Sequence, residues 1–342
     1  MSELISDNSN MAGDGARAPV LTRLLLSNEF GLAVLIAATF MIFASASQGF
    51  TSPFSLFTIG RQIGIDTVIG LAMMAVIVTG GLDLSVGAIG VCSAMAFGYF
   101  AQSQGAPLVA AAPLAVAFGA GLGFTNGYAV VRSGVHSFII TLASMSIFFG
   151  IMIFLTQAQS FNQLPPVVQS FGKMKFGGMV SPLLLIALAV CAGLSVFYRF
   201  TTLGRAMLAA GANARAAELS GIRTGSVIIS CHALTGGLAA LAGLMVTART
   251  GAAVPSMAGH LGQDWLLPAF LAPVLGGTLL SGGRVSVVGT FLGAAFVDIM
   301  TSGLLLMRVG EFWILAILGL MLLSAVLTDR ARQMVLQRRG MI

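Results

Sequence analysis

Long apolar stretches follow one another along the chain, separated by short polar breaks. A helix needs about 20 mainly apolar residues to cross hydrocarbon, where its backbone polar groups must be satisfied within the segment. That ruler picks out ten stretches, near residues 30–47, 62–80, 84–102, 107–131, 137–156, 179–198, 226–248, 264–280, 286–306 and 311–328. The pattern predicts an all-α fold: a polytopic transmembrane helical bundle of about ten spans. Gln102, Ser103, Gln104 and Gly105 read as a short turn between the third and fourth. Ser281-Gly282-Gly283-Arg284 breaks the eighth from the ninth, so either of these is a clean span or a discontinuous, re-entrant one.

Composition agrees. Apolar residues make up 57% of the 342 positions and charged residues 8%, and the mean hydropathy is +0.97. A soluble domain carries about 25% charge to keep its surface hydrated. The net charge of +6 then reports topology, and no nucleic-acid partner is implied. Basic residues concentrate in cytoplasmic loops. With the N-terminus inside, only Arg61, Lys173, Lys175, Arg249 and Arg308 of the 17 basic residues fall outside. Both termini are therefore predicted to be cytoplasmic. Residues 1–25 read as a disordered polar tail, 26–328 as the membrane domain and 329–342 as a basic cytoplasmic tail. Arg17, Arg23 and Ala44-Ser45-Ala46 imitate a cleavable signal, but the lead is long and acidic and further apolar runs follow.

Several segments carry more than hydropathy. Within the longest cytoplasmic loop, 199–225, Asn213 suits an N-cap, Ala214 to Ser220 favour helix and Gly221 suits a left-handed C′ position. The result is a helix of about two turns, which is marginal unless it docks on something. It reads either as a docking helix for a cytoplasmic partner or as an ordinary surface helix. Gly80-Gly81-Leu82-Asp83-Leu84-Ser85-Val86-Gly87 joins two apolar runs with paired glycines, a carboxylate and a hydroxyl. It is either a broken helix lining a cavity or a capped interfacial turn. Gly276-Gly277 through Ser286 has similar character, and the two stretches could echo an internal repeat. Gly119, Gly123 and Gly127 form a close-packing seam, with Asn126 beside it.

Ionisable residues at membrane depth are costly and are functional suspects. Asp66, read near the outer end of its helix, His232 and Asp298 are the candidates. Asp298 is placed deepest and reads as a pathway, pairing or hydrated-cavity residue. The outer loop 249–265, with Arg249, His260 and Asp264, could receive a partner or substrate. Cys92, Cys191 and Cys231 read as small packing residues, and the histidines offer no metal motif.

Taken together, the motifs resemble the permease family of carbohydrate ATP-binding-cassette importers, which includes ribose, xylose and arabinose permeases. Gly80 to Gly87 looks like the family's GG-[IL]-DLSVG signature. Asn126-Gly127 followed by Phe138-Ile139-Ile140-Thr141-Leu142 resembles NG and PFI-x-TL, with Ser137 where proline is usual. Thr202-Leu203-Gly204-Arg205, Asn213, Ala216-Ala217 and Ser220-Gly221-Ile222 resemble the cytoplasmic TxGR…N..AA..SGI element. Leu275-Gly276-Gly277-Thr278, Ser281-Gly282-Gly283, Gly289-Thr290 and Gly293 resemble the C-terminal pattern, and Ser302-Gly303-Leu304 replaces the usual Asn-Gly-Leu.

The resemblance implies a non-catalytic inner-membrane subunit that moves a sugar or polyol. A separate cytoplasmic ATPase would bind ATP and Mg, a periplasmic sugar-binding protein would deliver the cargo, and two permease chains would pair, as a homodimer or heterodimer within membrane lipid. This chain has no phosphate-binding loop and is expected to bind no cofactor or metal. The ATPase-coupling residues implied are Gly204, Arg205, Asn213, Ala216, Ala217, Ser220 and Gly221. The pathway residues implied are Gly80, Gly81, Asp83, Ser85, Asn126, Phe138, Thr141, Gly276, Gly277 and Asp298. The alternatives are a proton-coupled carrier using Asp66, His232 and Asp298, and an intramembrane enzyme. The second lacks any nucleophile–base pair or metal motif at helical spacing.

Overall fold

Why the apolar runs do not all become simple crossings is visible in a computed structural model of the chain, which describes residues 28–338. Thirteen α-helices are present among them and no strand. In chain order they are α1 (Asn28–Ala46), α2 (Pro53–Ile77), α3 (Val86–Gly98), α4 (Leu108–Ser133), α5 (Ser137–Thr156), α6 (Pro166–Lys173), α7 (Pro182–Phe200), α8 (Thr202–Ala212), α9 (Ala214–Leu219), α10 (Thr224–Thr250), α11 (Leu266–Leu275), α12 (Val287–Leu306) and α13 (Glu311–Arg338). Eight, among them α3 with the π-helical turn Tyr99–Ser103, are long and apolar enough to cross a membrane. The expected tail at 1–25 lies outside the described residues, and α13 continues through Arg338.

One expectation is corrected and one open alternative is resolved. The span placed at 62–80 starts at Pro53, where Ser52 caps the helix by accepting from the Ser55 N–H. Asp66 therefore sits in mid-helix, not near its outer end. The span placed at 264–280 supplies only the ten-residue α11. Its other half is the non-helical segment from Gly251 and the short 3₁₀ turn His260–Trp265. This crossing is discontinuous.

The core is built from α2 and α3, with 78% and 72% of their apolar windows buried by protein, against 17% for α1 and 22% for α4, α5 and α7. Helices buried all round need no polar face, which is why α2 and α3 read as nearly continuous apolar runs. α10 packs along α2, α3 and α4, while α11 and α12 pack together against α2.

Small residues set these approaches. A side chain at Gly119 would strike the Gly236 carbonyl, and one at Gly236 the Gly119 carbonyl. Gly276 with Gly289 repeats the arrangement, and a side chain at Gly243 would strike the Gly90 carbonyl. With no hydrophobic force between helices in lipid, such backbone contact is what holds them together.

The connections sort to two ends. At one end Gly283 donates its N–H to the Val78 carbonyl at 2.9 Å, and Gly211 of α8 lies against both. At the other, Phe161 pairs with Ala253 and the Gln163 N–H meets Gln102. The loops expected on one face of the membrane thus lie together.

Candidate functional site

The segment between α2 and α3 enters the bundle without helical hydrogen bonds, so its polar groups need other partners. Three separate stretches supply them. Ser137 Oγ accepts from the Leu82 N–H at 2.9 Å, and Thr141 Oγ1 accepts from the Leu84 N–H at 3.1 Å, both from the first turns of α5. Asp83 Oδ1 accepts from the Ser85 N–H and hydroxyl, at 2.9 and 2.5 Å. The Asn126 amide of α4 donates to Ser85 Oγ at 2.7 Å. Asn126 lies seven residues before the end of α4, about 10 Å along its axis. The chain therefore runs extended into the interior before α3 begins.

The second break meets the first there. Gly262, at φ +81°, and Gly87 lie backbone to backbone, and a side chain on either would overlap the other's main chain. Trp265 then covers Gly90, and the His260 ring approaches Phe149 of α5 at 6.0 Å. The first turn of α3 and the non-helical segment that leads into the short α11 thus touch inside the bundle. Discontinuous helices of this kind are where membrane transporters place their binding chemistry. Asp83 Oδ2 in the first break, and Ser93 Oγ and His232 Nε2 beside the α4 glycine seam, are buried with no hydrogen-bond partner. They are capable of hydrogen bonding to hydroxyl groups.

The sequence candidates divide into groups. Gly80, Gly81, Asp83, Ser85, Asn126 and Thr141 come together at the first break. Phe138 is 43% exposed on the outer side of α5. Gly276 and Gly277 join the end of α11 to the first turn of α12, where the Thr278 hydroxyl accepts from the Ser286 N–H at 3.4 Å. Asp298 lies apart from the break, its carboxyl in contact with that of Asp66. These residues are 3% and 6% exposed. Gln62 donates to both Asp66 oxygens at 3.1 Å and accepts from Arg249. His232 belongs elsewhere, packed across Gly123 and Gly127 of α4 with Nδ1 at 3.1 Å from the Ile228 carbonyl. The three ionisable candidates therefore do not form one chain.

Sequence reasoning missed Ser137, Gln62 and Gly262 as partners. For Gly262 a signal existed, in the Gly251, Gly259 and Gly262 spacing of a loop too polar to be a span.

At the opposite feature, the expected cytoplasmic helix is α9. Asn213 Oδ1 caps it by accepting from the Ala216 N–H at 3.0 Å. Gly221, at φ +84°, ends it: its N–H reaches the Glu218 carbonyl and that of Ile222 the Ala217 carbonyl, at 2.9 and 3.0 Å. This is a Schellman ending. Thr224 donates to Glu218 beside it. Ala217 turns inward at 5% exposure, whereas Leu219 is 87% exposed. Gly204 packs α8 onto the end of α7, and Arg205 is exposed.

Comparison with known proteins agrees with this architecture. A family model described as "Branched-chain amino acid transport system / permease component" matches residues 55–326. The chain is 36% identical over 305 residues to the ribose import permease protein of Bacillus subtilis (strain 168), covering 88% of this chain and 91% of the relative. It is 32% identical over 306 residues to the ribose import permease protein of Escherichia coli (strain K12), covering 88% and 92%. It is 32% identical over 289 residues to the fructose import permease protein of Rhizobium meliloti, covering 82% and 79%. No solved structure is a significant match. The chain is a multi-pass membrane protein and belongs to the family of branched-chain amino acid transport system permease components.

Proposed function

We propose that this chain is the membrane-spanning subunit of an ATP-binding-cassette importer in the bacterial inner membrane, passing a sugar or sugar-like polyol. The observation that carries the coupling half of this reading is α9. It is too short to be stable alone, yet it is capped at both ends and presents Leu219 almost fully to solvent. An exposed leucine on a rigid turn is an anchor without a pocket. A cytoplasmic ATPase, which binds the ATP and Mg, supplies that pocket. The sugar half rests on the relatives, two named for ribose and one for fructose.

In this mechanism a periplasmic binding protein delivers the sugar and two permease chains, alike or different, enclose the path. Phe138, exposed on one chain, then faces that path beside the Gly80–Ser85 break. Asp83, Ser85, Asn126 and Thr141 keep the break rigid, and the partnerless polar atoms near it offer hydrogen bonds to sugar hydroxyls. Closure of the ATPase pair moves α9, with α8, against the Val78 and Gly283 turns that α8 touches. ATP can shift the packing only by binding the two states differently. Both termini lie on the cytoplasmic side.

The test is ATP-driven uptake of labelled ribose and fructose into vesicles containing the permease, its ATPase and the binding protein. Leu219→Asp should leave the amount of inserted protein unchanged and reduce uptake at least tenfold, about the loss of one hot-spot contact. Uptake at the wild-type rate in that variant would remove α9 as the coupling element. Uptake that persists without the ATPase and stops with an uncoupler would replace the whole reading.

A further inference from the structure

At the end of the bundle where α8 meets the Gly283 turn, the start of α1, the last turn of α7, α8 and the first turn of α12 surround an open cleft of about 470 Å³. Its size is within the range of small-ligand sites. Arg199 of α7 and Arg284 of the turn before α12 line it from different elements. Neither guanidinium has a carboxylate ion-pair partner among the described residues, and Arg199 is steadied over the Phe200 ring at 5.4 Å. Tyr198 lies at the floor, 5% exposed, with a hydroxyl that has no hydrogen-bond partner. Val287 and Val288, in the first turn of α12, also line the cleft. The Ser286 cap takes the N–H of Gly289, and the other N–H groups of a first turn have no partner within their helix.

One carboxylate is present. Glu29 lines the α1 side and accepts from the Ser286 hydroxyl at 2.7 Å. The charges facing the cleft are thus two positive and one negative, an excess of one. Helices α1, α7 and α12 are all long enough to cross a membrane, and their ends surround the cleft, which puts it at the level of lipid headgroups. Guanidinium groups and helix N-termini are the donors that phosphate oxygens favour. We propose that this cleft binds a phosphate group of single negative charge, held between Arg199 and Arg284, as in an anionic phospholipid headgroup. Bound there, the phosphate ties α7 to the first turn of α12.

The full chain, purified in detergent, is incubated with phosphatidylglycerol, with uncharged diacylglycerol or with inorganic phosphate, and retained ligand is read by native mass spectrometry. Phosphatidylglycerol should stay bound and diacylglycerol should not. The double variant Arg199→Gln/Arg284→Gln should retain about tenfold less, the loss of charge-assisted hydrogen bonds. Glu29→Gln removes the opposing charge and should retain more than wild type, which keeps a readout if the double variant does not fold. Phosphate protection from thermal unfolding, seen in wild type and absent in the double variant, without phosphatidylglycerol retention, assigns the site to free phosphate. Equal retention of both lipids, retention unaffected by the double substitution, or no gain in Glu29→Gln overturns the proposal.

Discussion

At Ser137 one side chain explains a departure from the family pattern. Proline usually stands there, and proline fits the first position of a helix. In this chain the Ser137 hydroxyl accepts from the Leu82 N–H, a bond that proline cannot make. Ser137→Pro should keep α5 intact and destabilise the protein by about 1 kcal/mol, the worth of one internal hydrogen bond. Asn126→Leu should cost more, about 1–3 kcal/mol, because it leaves the buried Ser85 hydroxyl with one partner fewer among apolar neighbours. Thermal unfolding in detergent measures both, and the order Asn126→Leu below Ser137→Pro is the decisive outcome. The sequence marked Asp83, Ser85, Asn126 and Thr141 individually, since each is a polar residue amid apolar ones. It left unmarked the Asp66 contact with Asp298 and the Gln62 bond to Arg249. Those contacts join residues more than 180 positions apart, and no local pattern encodes such a separation.

Single elements show where periodicity suffices and where it fails. Helix α9 was legible to the residue, because its signals are local: a side-chain cap at Asn213 and a left-handed glycine at Gly221. The orientation of α9 was not, since so short and alanine-rich a segment does not say which side is buried, and Ala217 faces the bundle. Two substitutions separate the sides. Ala217→Glu places a charge in a buried position and should lower the amount of folded protein in membranes, by a destabilisation of about 3 kcal/mol or more. Leu219→Glu changes only the exposed side and should leave the melting temperature within about 2 °C of wild type while abolishing ATPase-driven uptake. Loss of folded protein in Leu219→Glu as severe as in Ala217→Glu would mean that α9 is purely structural. Elsewhere the sequence left open whether the stretch that holds α11 is a clean span or a discontinuous one. Hydropathy counts apolar residues and does not report that Gly259 and Gly262 at positive φ keep the chain before it non-helical.

Across the whole molecule, the number of crossings decides which side each terminus occupies. Adding the discontinuous crossing that ends in α11 and the shorter apolar stretch Glu311–Leu327 of α13 to the eight long helices gives ten, an even number that would return the chain to its starting side. Had α11 been a hairpin returning to its own face, the count would be odd and the termini would separate. The contacts argue against that: α11 runs from Trp265, level with Gly90, to Gly276, which meets Gly289 in the first turn of α12. Its end therefore reaches the face where the Val78 and Gly283 turns join, opposite the Phe161–Ala253 pairing from which its loop set out. In the proposed topology, with basic residues held inside, that face is the cytoplasmic one. Single cysteines in a background lacking Cys92, Cys191 and Cys231 test the assignment through a membrane-impermeant thiol reagent. Leu219→Cys should label only in inside-out vesicles, and Val167→Cys, on the exposed side of α6, only in intact cells stripped of outer membrane. A cysteine appended after Ile342 should follow Leu219→Cys. If it follows Val167→Cys instead, the crossing through α11 is re-entrant, and the two breaks that meet at Gly87 and Gly262 approach each other from the same face of the membrane.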